Sequence, residues 1–152
     1  MNNIKVWREG ENQVAQYLKE KGYKIVYTNF SCKIAELDIV AILSKKTQKA
    51  QIKSEIRAKI SQIADKTQIR LLKLSLKGRL KNLRDLLIIV EVKARSSNAY
   101  GLGLDAISKQ KINHMKRGAE VLTKMKKFKD MQVRFDVASV DSGVITYIEN
   151  AF

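Results

Sequence analysis

Cysteine and histidine are almost missing from this sequence, with one of each, Cys32 and His114. A single cysteine cannot close an internal disulfide, and beside a predicted strand it is most often a small buried hydrophobe. With one histidine, no Cys/His cluster has zinc-ligand spacing. Long apolar runs are missing too. Nothing approaches the ~20 apolar residues of a membrane span. The first eight residues hold no apolar core of a signal peptide, so a reducing, cytoplasmic setting is the default expectation, with no membrane partner. Repeats and low-complexity linkers are absent, and 152 residues suffice for one domain, 1–152, with a real core. Acids are scarce: fifteen stand against thirty Lys+Arg, giving a net charge of +15. That imbalance favours a polyanionic partner such as DNA, RNA or an acidic surface. At 45% hydrophobic residues, wholesale disorder is excluded.

What is present is organised around Leu86-Leu-Ile-Ile-Val-Glu-Val-Lys-Ala-Arg95. This β-branched apolar run reads as a buried strand. Side chains alternate across a strand, so Glu91 and Lys93 share one face and Val90, Val92 and Ala94 the other. Buried charges are costly unless paired or bound to metal. An earlier strand over 36–43 repeats the pattern, with Glu36 and Asp38 on one face and Leu37, Ile39 and Ala41 on the other.

Residues 4–21 read as a helix with Trp7, Val14, Ala15 and Leu18 as its apolar stripe, stopped by Gly22. Glu11 falls on that stripe, either as an edge position reaching water or as a carboxylate aimed at the sheet. A strand over 23–28 and a turn over 29–33 follow. Residues 44–85 then carry thirteen Lys/Arg against three acids, a basic insertion of net +10. Its first half is predicted helical from Ile52, Ile56, Ile60 and Ile63. Its second half alternates like a strand over 71–76 yet is compatible with a helix. The insertion is either a solvated excursion or an arm that grips phosphates through Lys53, Arg57, Lys73, Lys77 and Arg79. After the central strand, residues 96–103 read as a loop suited to binding. A helix capped by Asp105 and running to about 127 buries Ile107, Met115, Ala119, Leu122 and Met125, with Gln110 and His114 at its edge and Lys109, Lys111, Lys116 and Arg117 outward. Strands over 132–140 and 144–148 flank a turn at 141–143. Asp136 is expected to hold a basic residue such as Arg134.

Glu11, Asp38, Glu91-x-Lys93 and Gln110 thus form a constellation. Carboxylates on adjacent strands can share a hard cation such as Mg²⁺ or Mn²⁺, with the Val92 carbonyl as a further ligand. Such a cation lowers the pKa of a water and neutralises charge on a phosphodiester. Lys93 would orient or help deprotonate that water, and Gln110 would position the water or a phosphate.

The segments Gly10-Glu11, Glu36-Leu-Asp38-Ile-Val-Ala41, Val90-Glu-Val-Lys-Ala-Arg95, Lys109-Gln110, Arg134-Phe-Asp136-Val137 and Asn150-Ala-Phe152 resemble the bacterial YraN family. That family is similar to the restriction-endonuclease-like, PD-(D/E)XK nucleases, close to archaeal Holliday-junction resolvases. The resemblance covers about residues 7–43 and 86–152. It implies an α/β fold, a central mixed sheet flanked by helices in the order α-β-β-β-α-β-β, with the basic insertion between strands two and three. Asp38, Glu91 and Lys93 match its signature, and Glu11 and Gln110 its auxiliary positions. The chain departs from the pattern at Ala35, at Ser31 and in the 53 residues separating Asp38 from Glu91. The implied activity is metal-dependent hydrolysis of DNA phosphodiesters, on branched or structured DNA, with Arg95 and Lys109 as further phosphate contacts. Related folds often dimerise to address two strands. The alternatives are a non-catalytic nucleic-acid-binding protein on the same fold, or a module that binds a protein through the Ile52–Ile63 stripe.

Overall fold

A computed structural model describes residues 3–95 and 107–152, with side chains over 6–94 and 107–152. The elements run α1 (Asn3–Glu20), β1 (Lys24–Cys32), β2 (Ala35–Leu43), α2 (Lys45–Ile60), α3 (Lys66–Lys81), β3 (Leu86–Arg95), α4 (Lys109–Thr123), β4 (Gln132–Asp141) and β5 (Val144–Ile148). The strands form one sheet in the order β1-β2-β3-β4-β5. Only β3 and β4 pair in parallel; the other neighbours are antiparallel. The parallel step needs a crossover, and α4 lies within it.

The sheet is covered on both faces. Val14, Ala15 and Leu18 of α1 pack on Ile39, Ala41, Ile88, Val90 and Ala94. Met115, Ala119 and Leu122 of α4, with Phe128, pack on Leu37, Val40, Leu87 and Ile89. Central β3 is apolar toward both layers, which explains its unbroken run of Leu, Ile and Val. Two glycines set the helix–sheet distances. A Cβ on Gly10 would lie 2.5 Å from the Ala94 Cβ, and one on Gly118 would lie 3.0–3.1 Å from Leu37 and Ala35 side-chain atoms. Helix α1 therefore rides directly on the end of β3, and α4 on the start of β2.

Several expectations need correction. Trp7 is 56% exposed and leaves the apolar stripe, because α1 first becomes buried at Gly10, a turn later. The turn predicted at 29–33 is mostly strand. Asn29 takes a left-handed conformation (φ 52°) that asparagine tolerates, and pairing continues to Cys32 opposite Ala35. Residues 71–76, which the pattern left open between strand and helix, are helical. Helix α3 buries none of its residues, so burial imposes no period, and Leu, Lys and Arg favour a helix started by Asp65, whose side chain accepts from Thr67 N. Helix α4 is capped by Ser108, which accepts from Lys111 N at 3.2 Å, rather than by Asp105. It ends at Thr123, and a short 3₁₀ turn over Lys126–Phe128 buries Phe128. Ile107 and Met125 are half-buried. The predicted loop 96–103 and Asp105 lie outside the described residues.

The insertion is a helical hairpin, α2–α3. Its root is held by buried Gln48, whose amide donates to Leu43 O (3.1 Å) and Arg84 O (2.6 Å). Glu55 pairs with Lys59 along α2 at 2.8 Å and, across the hairpin, with Arg79 of α3 at 3.4 Å. Among the described residues no helix is long and apolar enough to cross a membrane.

Candidate active site

The ladder between β2 and β3 ends at Ile39–Val90. Beyond that pair the strands part. The Val92 N–H, which would otherwise meet a β2 carbonyl, donates instead to Asp38 Oδ2 at 2.8 Å. A strand residue exchanges N–H and C=O with one neighbour, so the Val92 carbonyl faces the same gap. Strict alternation also breaks at Asp38, for Leu37 belongs to the α4 layer and Ile39 to the α1 layer. The sequence thus opens the sheet where it places an acid in each strand.

Lys111 of α4 fills the opening. Its Nζ lies 2.8 Å from Glu91 Oε2 and 3.9 Å from Asp38 Oδ1. The contact with Glu91 is an ion pair rather than an aligned hydrogen bond. Glu91 Oε2 is buried and accepts no hydrogen bond among the described residues. Burial first, and then the Asp38 charge, push the Glu91 carboxyl up to about 7, although Lys111 opposes them. Burial works against the Lys111 ammonium, yet Glu91, Asp38 and Glu36 outweigh it and raise its pKa above the ordinary value. Two carboxylates converging on one ammonium, with a buried oxygen short of donors, make a donor set that a hard divalent cation fits.

The other predicted residues fall at different distances from this pair. Lys93 is half-buried on β3, two residues after Glu91 and on the same strand face. Glu11 Oε2 accepts from Asn29 Nδ2 at 2.7 Å, and Asn29 stands opposite Asp38, between the pairs Thr28–Ile39 and Phe30–Leu37. Glu11 is therefore held one strand away from Asp38. Among the described residues no three His, Cys, Asp or Glu side chains gather as a metal cage. Gln110 and Lys109 are exposed in the first turn of α4. The residue that reaches the acids is the next one, Lys111, which the basic helix pattern placed outward. Its spacing to Met115, Gly118 and Leu122 puts it on the buried helix face, and that signal is present in the sequence.

Lys53, Arg57, Lys73, Lys77 and Arg79 are all exposed on the hairpin. The side chain of Arg95 lies outside the described residues. The hairpin's root, Leu43 paired with Leu86, is five residues from both Asp38 and Glu91, about 16 Å along the strands. The arm and the acid pair thus leave the sheet at opposite ends. On β4, opposite Val90, Asp136 is fully buried and accepts from Arg134 Nε (2.9 Å), Arg134 Nη2 (2.7 Å), Tyr147 OH (2.6 Å) and Asn150 N (2.9 Å), as expected of a structural acid.

Comparison with known proteins gives one family. The model of "Uncharacterised protein family UPF0102" matches residues 10–140. A UPF0102 protein of Caldicellulosiruptor saccharolyticus is 28% identical over the whole of both chains. One from Caldanaerobacter subterraneus is 31% identical, covering 92% of this chain and 82% of its own. One from Clostridium acetobutylicum is 30% identical, covering 99% and 95%.

Proposed function

The chain belongs to the UPF0102 family, the YraN family that its motifs resemble, and on that footing we propose that it is a metal-dependent endonuclease hydrolysing DNA phosphodiesters, on branched or structured DNA. The observation that carries this reading is the parting of β2 and β3, which sets the Asp38 and Glu91 carboxylates against a single positive charge. The sheet order, with β1-β2-β3 antiparallel and β3-β4 parallel, supports a restriction-endonuclease-like core around Glu91-x-Lys93.

In this reading Asp38, Glu91 and the Val92 carbonyl hold Mg²⁺ or Mn²⁺, with Glu11 behind them on Asn29. When bound, the cation supplies a water of lowered pKa and screens the phosphodiester charge. Lys93 orients the attacking water beside Glu91, and Gln110, at the start of α4, steadies the water or a neighbouring phosphate. Lys111, whose ammonium lies beside both acids, would have to swing aside for those residues to hold the cation. The exposed cations of the hairpin hold backbone phosphates without reading bases.

The test is cleavage of labelled linear, flapped and four-way-junction DNA with Mg²⁺ or Mn²⁺. Products should be lost on chelation and reduced about 10²–10⁴-fold in Lys93→Ala. Asp38→Ala should lose cleavage and keep DNA binding. One observation favours a second reading, a binding protein without catalysis: the Lys111–Glu91 ion pair already neutralises the acids as a structural network would. Binding without cleavage under every metal condition would select it.

A further inference from the structure

The hairpin is rooted about 16 Å from the acid pair along β2 and β3, so a strand cleaved there needs a grip that the arm's root does not supply. A groove occupies that end of the sheet. It runs between the β1–β2 turn and α4, and its walls include Cys32, Lys33, Glu36, Lys111, His114 and Arg117. Lys111 at its inner end is the residue that touches Asp38 and Glu91. Lys111, His114 and Arg117 are spaced by three along α4, about 4.5 Å per step, so they line the groove in a row leading from the acids. Lys33 and Arg117 are exposed and His114 half-buried, and Glu36 is the one carboxylate among those six. The floor is fixed by the close approach of Gly118 to Ala35 and Leu37.

We propose that this groove is the track along which one phosphodiester strand reaches the acid pair, with Lys33 and Arg117 binding its phosphates and His114 contacting the backbone between them. The inference rests on the nuclease reading for what happens at the inner end, but the binding itself does not need catalysis. Lys111 is engaged by Glu91 and Asp38, which leaves Lys33 and Arg117 to meet phosphate charge. Their position also sets the strand's direction: it enters over the β1–β2 turn and passes along α4 toward its first turn, where Gln110 stands.

The sequence supplies its own reporter, since Cys32 in the groove wall is the only cysteine. The full chain in EDTA is alkylated with N-ethylmaleimide, with and without saturating duplex or four-way-junction DNA. Alkylation of Cys32 should slow severalfold when DNA is bound. In parallel, Lys33→Glu/Arg117→Glu, both at exposed positions and checked for an unchanged melting curve, should bind more weakly. Its slope of log affinity against log salt should fall by about 0.9 for each phosphate it no longer neutralises. DNA binding with Cys32 alkylated at its free rate, and with the double variant binding normally, overturns the groove and leaves the nuclease reading standing. Protected Cys32 without metal-dependent cleavage does the reverse. Wild-type protein that binds no DNA overturns both.

Discussion

The Lys111 ammonium lies 2.8 Å from Glu91 Oε2, so a single helix residue neutralises a buried strand carboxylate that also faces Asp38. This arrangement predicts an uncommon pH dependence. Glu91 keeps its proton up to about 7 in the folded protein, against 4.5 ordinarily. Between those values the folded state binds more protons than the unfolded chain. Stability contributed by this group is therefore complete below pH 4.5 and is lost as pH rises toward 7, by up to about 1.4 kcal/mol per pH unit crossed. Lys111→Met should sharpen the effect. It should cost roughly 1–3 kcal/mol at pH 8, less than a fully buried pair because Lys111 is 31% exposed, and much less at pH 5, where Glu91 is neutral. Urea titrations at the two pH values check this. Added Mg²⁺ should recover part of the loss at pH 8, and equal losses at both pH values would refute the coupling.

Gly10 and Ala94 form a second testable pair. A methyl on Gly10 meets the Ala94 Cβ at 2.5 Å, and neither atom can rotate away. Gly10→Ala should therefore push α1 off the end of β3, at about 1–3 kcal/mol. Ala94→Gly opens the same space, so the double variant should be more stable than the sum of the two single changes allows. A double-mutant cycle by thermal melting measures it. Simple additivity would mean that the helix is free to shift.

These two pairs mark how far the sequence could be read. The acid pair was legible because Asp38 and Glu91 interrupt strands that are otherwise apolar, where charge demands a reason. The five strand segments and the mixed sheet flanked by helices were legible as well, whereas the order of the strands within the sheet came from the structure alone. Lys111 was missed although it lies four residues before Met115, because lysines on a basic helix read as solvated surface. The fate of Glu11 on Asn29 was not legible, since it depends on a left-handed residue inside a strand. The form of α3 was undecidable from pattern alone, since an element that buries nothing leaves no hydrophobic period.

Gln48 is the hinge pin of the insertion, and its amide reaches both chain ends at the root. Gln48→Leu keeps the bulk and strands the Leu43 and Arg84 carbonyls. The expected cost is about 1–3 kcal/mol, felt first in the hairpin. Hydrogen exchange should speed up across α2 and α3 while β3 amides keep their protection. Uniform acceleration over the whole chain would show instead that the hairpin and the sheet unfold as one unit.

The register at the root gives a clean way to remove the arm. Leu43 and Leu86 are direct partners, so residues 44–85 can be replaced by Asn-Gly, a two-residue turn that suits an antiparallel pair. The shortened chain loses ten of its fifteen net positive charges and keeps Asp38, Glu91, Lys111 and the groove along α4. If the arm grips phosphates, affinity for DNA should fall and its salt dependence should flatten by about 0.9 for each phosphate the arm had neutralised. Cys32 should still be protected at DNA concentrations high enough to saturate the shortened chain. Cleavage per bound complex should change little, because the arm and the acids leave the sheet at opposite ends. Unchanged affinity would make the hairpin a docking element for another partner and assign DNA binding to the groove alone.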